Sequence, residues 1–129
     1  MVRTFAQVVG VILIVLGVLG LLLGDQSLGG ALNIDLVEDV IHIITGGLLV
    51  YVGYGRAPAG QARNVVAGVG VFYLLLALIG FADPSLFGLL PSGYTQIDNL
   101  VHLLLGVLLL AAAYGARSAA RTSPLRRRR

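Results

Sequence analysis

Cysteine and lysine are both absent from this chain of 129 residues. Without cysteine it has no disulfide bonds, no thiol redox chemistry and no thiolate ligands for zinc or iron–sulfur clusters. Without lysine it cannot form a Schiff base of the retinal-binding kind. The nine basic residues are all arginine, and the chain has two histidines. These absences exclude thiol enzymes and Schiff-base proteins from the functions to be considered.

Charged residues are scarce, at 12%, whereas 57% of the residues are hydrophobic. A soluble domain of this size could not bury so much apolar surface, so the expected solvent is a lipid bilayer. Four apolar stretches have roughly 17–19 residues each, near the lower end of what crosses a hydrocarbon core about 30 Å thick. They cover residues 6–23, 36–54, 65–81 and 97–114. The sequence therefore predicts one transmembrane domain, residues 1–117, with four spans.

Positive and negative residues fall in alternate connections between these stretches. The arginines are Arg3, Arg56, Arg63, Arg117, Arg121 and residues 126–129, and the acids are Asp25, Asp35, Glu38, Asp39, Asp83 and Asp98. With four spans, every arginine lies on one side of the membrane and the acids lie at the other. The positive-inside rule then predicts a multi-pass protein of the inner (plasma) membrane with both termini in the cytoplasm.

The two halves of the chain align at an offset of sixty residues without a gap. The segment EDVIHIITG at 38–46 aligns with DNLVHLLLG at 98–106, and Arg3 aligns with Arg63. Coincident arginine, histidine and glycine residues indicate a duplicated two-helix hairpin, with repeats at about 3–57 and 63–117. Because each repeat has two spans, both copies insert in the same orientation, and their pseudo-two-fold axis should run along the membrane normal.

The predicted fold is all-α: an up-down-up-down four-helix transmembrane bundle with an N-in, C-in orientation. Connections of roughly ten residues make consecutive spans antiparallel neighbours. The segments 35–38 and 95–98 both have the pattern of a capping box at a helix N-terminus. Residues 118–129 are predicted to form a disordered, Arg-rich cytoplasmic tail. Its last four residues, Arg126, Arg127, Arg128 and Arg129, should contact anionic lipid headgroups, and no nucleic-acid partner is predicted.

His42 and His102 occupy equivalent positions of the repeat, and each has polar residues three and four positions before it. Such residues share a face of a helix with the histidine. The second and fourth spans are diagonal in a simple bundle, which would leave only a few ångströms between two inward-pointing imidazoles. We therefore treat the pair as one candidate site near the outer leaflet. Its residues are His42, His102, Asp39, Glu38, Asp98 and Asn99.

Three interpretations of this His–acid cluster remain open. Each histidine can be a satisfied polar group that fixes helix register, which makes the chain a structural or interaction-bearing protein without catalytic residues or a cofactor. The histidines can instead bind a metal ion or haem; Asp39-x-x-His42 has the carboxylate–histidine spacing of di-metal bundles. The cluster can also titrate and serve an outward-facing proton or solute pathway. The first is the leading hypothesis.

Small residues form stripes on the predicted helices, which let helix backbones approach closely in lipid. Where such a stripe faces outward, it would support a homo-oligomer or docking to a larger membrane complex. The partners predicted from sequence are therefore the bilayer, anionic lipids and other membrane-spanning helices.

The motif Asp/Asn-x-x-His-x-x-x-Gly at the start of an apolar helix resembles a family of bacterial four-transmembrane proteins. Asp39–Gly46 and Asn99–Gly106 carry the resemblance, which covers most of residues 3–117. The family is common in actinobacteria and similar high-GC bacteria and has no assigned activity. The resemblance therefore implies a fold and a membrane location, and no reaction.

Overall fold

The computed structural model describes the backbone of residues 1–121 and the side chains of residues 1–115. This part of the chain contains four helices and one short β-hairpin. In chain order the elements are α1 Val2–Leu23, β1 Gln26–Leu28, β2 Leu32–Ile34, α2 Leu36–Tyr54, α3 Ala59–Ala82 and α4 Gln96–Arg121. We refer to α1 with α2 as the first hairpin and to α3 with α4 as the second hairpin.

All four helices are long and apolar enough to cross a membrane, with mean hydropathies between 1.6 and 2.8. The predicted all-α, four-helix class is therefore confirmed. Apolar stretches of this length favour helices because a helix satisfies its own backbone hydrogen bonds, which lipid cannot do. The helix α4 continues beyond the predicted apolar stretch to Arg121. The predicted disorder and lipid contacts of residues 118–129 fall mostly outside the described residues and stay predictions.

The short β-hairpin between α1 and α2 was not predicted. Its strands pair antiparallel, with Gln26 opposite Ile34 and Leu28 opposite Leu32. Gly29 and Gly30 form the turn with φ angles of 64° and 75°, a conformation that glycine adopts without steric cost. Strands of three residues are too short to show a period of two in the sequence, which explains why the pattern did not reveal them.

In each helical hairpin, the two helices contact each other at a pair of facing glycines. A Cβ atom added at Gly46 would lie 2.8 Å from the carbonyl oxygen of Gly10, and one added at Gly106 would lie 2.8 Å from that of Gly70. These two contacts are equivalent at the sixty-residue offset of the sequence repeat. Since neither position has room for a side chain, the glycines set how closely the two helices of each hairpin pack.

The core lies mainly along α2, α3 and α4. Its largest fully buried side chains include Tyr73, Leu49, Leu109, Val52 and Val66. The helices of each hairpin pack against one another along their length, whereas α1 and α4 contact each other at few positions. Contacts between the two hairpins are few along most of the bundle, and a gap lies between α1 and α4.

Among the described side chains, one end of the bundle carries Arg3, Arg56 and Arg63, and the other carries the acidic residues. At the arginine end, the guanidinium of Arg3 donates hydrogen bonds to the carbonyl oxygens of Gly55, at 2.6 Å, and of Ala57. The amide of Gln7 donates to the carbonyl oxygen of Gly53 at 2.9 Å. These bonds fasten α1 to the last turn of α2 and to the chain that follows it.

At the acidic end, the connections of the two hairpins are hydrogen-bonded to each other. The side-chain amide of Asn33 donates to the carbonyl oxygens of Gly93, at 2.6 Å, and of Ser92, at 3.0 Å. The hydroxyl of Thr95 donates to the carbonyl oxygen of Ala31 at 2.6 Å. The β-hairpin and the connection 83–95 therefore form a joint cover over this end of the helices.

Only one of the two predicted capping boxes forms. In α4, the Thr95 amide donates to Asp98 at 2.8 Å, and the Asp98 amide donates to the Thr95 hydroxyl at 3.1 Å. In α2, Asp35 makes no side-chain cap. Its carboxylate accepts instead from the Ser92 amide at 3.3 Å. The prediction was wrong for α2 because Glu38, the residue that should complete the box, faces α4.

Candidate metal centre

Three of the six predicted site residues converge between the hairpins. Glu38, His42 and His102 each offer one ligand atom, and these atoms all lie within 4.8 Å of one another. Glu38 and His42 are four residues apart on α2, so they occupy one face of that helix on consecutive turns. His102 approaches this face from α4, which makes the cluster a contact between the first and second hairpins.

Glu38 and His102 are the closest pair in the cluster. The Nε2 atom of His102 lies 3.4 Å from the Oε1 atom of Glu38, and the two side chains are 3% and 9% exposed. This separation is longer than the roughly 2.7–2.9 Å of a strong charge-assisted hydrogen bond. The remaining polar atoms of the pair, Glu38 Oε2 and His102 Nδ1, are buried without a hydrogen-bond partner among the described residues. Buried polar atoms normally have a partner, so these two atoms indicate capacity for a ligand.

Aromatic rings surround the imidazole of His102. The ring of Tyr94 meets it edge-on, with centroids 4.9 Å apart, and the ring of Tyr73 lies 5.5 Å away. The centroid of His42 lies 6.2 Å from that of His102. The Tyr73 hydroxyl lies 2.8 Å from the Thr45 hydroxyl on α2. This bond joins α3 to α2 beside the two imidazoles.

Tyr94 is a member of this cluster that the sequence pattern did not reveal. It lies in the connection before α4, and its hydroxyl is buried without a partner among the described residues. Burial raises the pKa of Tyr94, because a phenolate would be poorly solvated here. Its hydroxyl therefore keeps its proton and remains a hydrogen-bond donor. Tyr94 comes eight positions before His102, so only the fold of the connection brings the two rings together.

The other three predicted residues, Asp39, Asp98 and Asn99, lie outside the converging group. The side chain of Asp39 packs against Gly20 of α1, and the side chain of Asn99 packs against Gly80 of α3. These two contacts are again equivalent at the sixty-residue offset. Asp98 caps α4, and its carboxylate also accepts a hydrogen bond from the backbone amide of Asn33 at 3.3 Å. The structure therefore divides the predicted set into two groups. Glu38, His42 and His102 converge and are called the triad below, and the other three residues lie outside it.

A cavity of about 540 Å³ lies beside the triad, in the gap between α1 and α4. Its polar wall is formed by the three triad residues together with Asn33, Asp39 and Asp98. The rest is apolar and comes mostly from leucines of the two helices, among them Leu13, Leu16, Leu104, Leu105 and Leu108. The volume falls within the range of about 300–1,000 Å³ usual for small-molecule sites.

Two histidines and one glutamate are a ligand set suited to zinc, iron or copper. Three protein ligands leave a coordination position open, as in catalytic zinc sites, and here that position would face the cavity. A haem between the histidines is less suited to this geometry. Glu38 lies close to His102 and Tyr73 packs beside both imidazoles, so side chains already occupy the space that a flat macrocycle would need.

No family model, curated protein or solved structure matches the chain. The resemblance to the bacterial four-transmembrane family therefore stays a prediction. The function is therefore inferred from the fold and from the geometry of the triad.

Proposed function

We propose that this chain is an integral membrane protein that binds one divalent transition-metal ion through Glu38, His42 and His102. The observation that carries the proposal is the convergence of their ligand atoms within 4.8 Å. A small shift of these side chains would bring all three into the roughly 2.0–2.2 Å coordination distances of zinc. The unpartnered atoms of Glu38 and His102 support the proposal, because ligation would orient both groups.

The charge distribution supports an orientation for this site. The arginine end carries Arg3, Arg56 and Arg63, and the positive-inside rule places it in the cytoplasm. The helices then run up-down-up-down with both termini inside, and the triad lies toward the outer face of a bacterial plasma membrane. A metal would reach it from the outer side or through the gap between α1 and α4.

A structural role is a second candidate, favoured by the contacts that cross between the hairpins. The Glu38–His102 pair and the Thr45–Tyr73 hydrogen bond both join the first hairpin to the second inside the bundle. In lipid, polar contacts of this kind contribute to helix association. In this case the cluster fixes how the hairpins dock, and no ion is needed.

Metal analysis of the purified full-length protein in detergent separates the two functions. We expect one zinc, iron or copper ion per chain after dialysis, and loss of that ion in the His42→Ala/His102→Ala variant. Asp39→Asn serves as the matched control because Asp39 lies outside the triad, and it should retain the metal. Absence of stoichiometric metal, with the double variant losing thermal stability, would replace the metal proposal by the structural one.

A further inference from the structure

The cavity between α1 and α4 has an uneven distribution of charge. Three carboxylates line it, those of Glu38, Asp39 and Asp98, and no arginine is among its lining residues in the described part of the chain. Among the described side chains, the only close contact between an acidic and a basic residue is that of Glu38 with His102, at 3.4 Å. The arginines of the connections lie at the opposite end of the bundle. Within the part of the chain whose side chains are described, the acids of this cavity therefore have no arginine beside them as a countercharge.

Glu38 also has an unmet requirement for a partner. Its side chain is 9% exposed, and its Oε2 atom is buried with no hydrogen-bond partner among the described residues. A carboxylate oxygen that is buried without a partner is costly in a medium of low dielectric constant. An acyl chain of the bilayer could cover the leucines of the cavity, but it could not supply a countercharge to this carboxylate.

We propose that this cavity binds a lipophilic organic cation, with its apolar body between α1 and α4 and its charge beside Glu38 and Asp39. Charge complementarity favours a cation over a fatty acid or a phospholipid phosphate, because the polar wall is acidic. The leucine-lined remainder favours a large apolar body over a small hydrated ion. This function goes beyond metal binding and does not require it, although a metal on Glu38 would compete with the organic cation.

The chain offers variants that separate the cation site from the metal site. Asp39→Asn removes a charge from the cavity and leaves the three proposed metal ligands unchanged. An asparagine fits there, since Asn99 packs against Gly80 as Asp39 packs against Gly20. Leu16→Trp on α1 and Leu108→Trp on α4 place a bulky ring in the cavity. Leu75→Trp on α3 is the matched control, because Leu75 is 51% exposed and does not line the cavity.

The experiment measures equilibrium binding of radiolabelled tetraphenylphosphonium to the full-length protein in detergent micelles. We expect saturable binding of one cation per chain, weakened at least about tenfold by Asp39→Asn and by either tryptophan at the cavity, and unchanged by Leu75→Trp. Triphenylphosphine oxide, a neutral molecule with a similar aromatic body, should bind weakly.

The proposal is overturned if no saturable binding occurs, or if Asp39→Asn and both tryptophan variants bind as tightly as the parent protein. Equal binding of triphenylphosphine oxide would also overturn it, and would assign the cavity to neutral amphiphiles. Thermal stability of each variant identifies misfolded protein, and Asp39→Asn tests the charge without adding volume. Failure of metal binding with retained cation binding would overturn the metal proposal alone.

Discussion

The Nε2 atom of His102 lies 3.4 Å from the Oε1 atom of Glu38, and the two residues belong to different halves of a repeated sequence. Glu38 is on α2 and His102 is on α4, so the contact joins helices that are far apart along the chain. An ion placed against both residues and His42 would be held by both hairpins at once. Metal binding and the docking of the hairpins should therefore depend on each other.

Replacing Glu38 with glutamine tests its role as a ligand. The substitution keeps the size of the side chain and removes the negative charge, so we expect zinc affinity to fall by at least about tenfold, the lower end of what even outer-sphere changes cost. Competition with a chromophoric chelator measures the affinity. The Asp39→Asn variant should keep the affinity of the parent protein. An equal loss in both variants would show that the ion is held by the overall negative charge of the site and not by ligation to Glu38.

Alanine at Gly46 and at Gly47 should change stability in opposite directions. At Gly46 a Cβ atom would lie 2.8 Å from the Gly10 carbonyl oxygen and 2.9 Å from the Ile14 backbone nitrogen, so the helices must separate. Overpacking of this kind costs about 1–3 kcal/mol. Gly47 has no neighbour within 4 Å, and alanine there should stabilise the helix by up to about 1 kcal/mol. Equilibrium unfolding in mixed micelles measures both, and similar effects would contradict the proposed close packing.

A double-mutant cycle tests the hydrogen bond between Thr45 and Tyr73. Thr45→Val and Tyr73→Phe each remove one hydroxyl with little change in shape. We expect a coupling energy near the average of about 0.6 kcal/mol for hydrogen bonds between membrane helices. Tyr51→Phe provides the control, since Tyr51 is 66% exposed and should show no coupling to Thr45. A coupling of zero for Thr45 and Tyr73 would mean that the bond does not stabilise the fold.

The turn at Asp83 should loosen in acid. Its carboxylate accepts hydrogen bonds from the Ser85 hydroxyl at 2.7 Å and from the Phe87 amide at 2.9 Å. These bonds, chiefly the one from Ser85, hold the pKa of Asp83 below its ordinary value of 3.8. Because the folded pKa is the lower one, the stabilisation is complete above the ordinary value and is lost as the pH falls through the folded value.

Hydrogen exchange of a peptide covering residues 83–90, corrected for intrinsic rates, measures this effect. Protection of the Phe87 amide should be constant near neutral pH and should decline below about pH 4. Asp83→Ala should remove the protection at every pH. Leu86 and Phe87 have φ angles of 46° and 61°, so the released turn is free to leave a costly backbone conformation. Protection that persists in the alanine variant would assign the turn to other contacts.

The absence of native cysteine makes the proposed orientation directly testable. Phe87 is 81% exposed at the acidic end, and Gly60 has no neighbour within 4 Å at the arginine end. In intact cells, a membrane-impermeant maleimide should label Phe87→Cys, whereas Gly60→Cys should react only after permeabilisation. The cysteine-free parent protein is the blank. The reverse labelling pattern would contradict the positive-inside orientation.

Hydropathy predicted the four helices because a membrane-spanning chain must satisfy its backbone hydrogen bonds internally, and long apolar stretches leave few alternatives. The β-hairpin was not predicted because strands of three residues are too short to show an alternation of apolar and polar residues. The capping box of α2 failed for a different reason. Glu38 and Asp35 have suitable spacing, but each finds a partner on the second hairpin, and such contacts leave no trace in a local pattern.

The sequence also located the histidine pair, since equivalent positions of a repeat on diagonal helices should lie close together. It did not distinguish Glu38 from Asp39 as the partner. At about 3.6 residues per turn, a residue four positions before His42 lies about 40° from it around the helix, and one three positions before lies about 60° away on the other side. Helix rotation, which depends on how α2 packs against α1, points Glu38 inward and Asp39 toward Gly20.

Glu38 and Asp98 occupy equivalent positions of the repeat, but one reaches His102 and the other remains at its own helix cap. Two identical hairpins assembled as a dimer would have to place the same acid at both positions. Covalent linkage of the copies removes that constraint, because each position can then be changed alone. One extra methylene group in the first copy separates the two tasks, so that a single chain can hold a stable helix start and a carboxylate that reaches His102 at symmetry-related places.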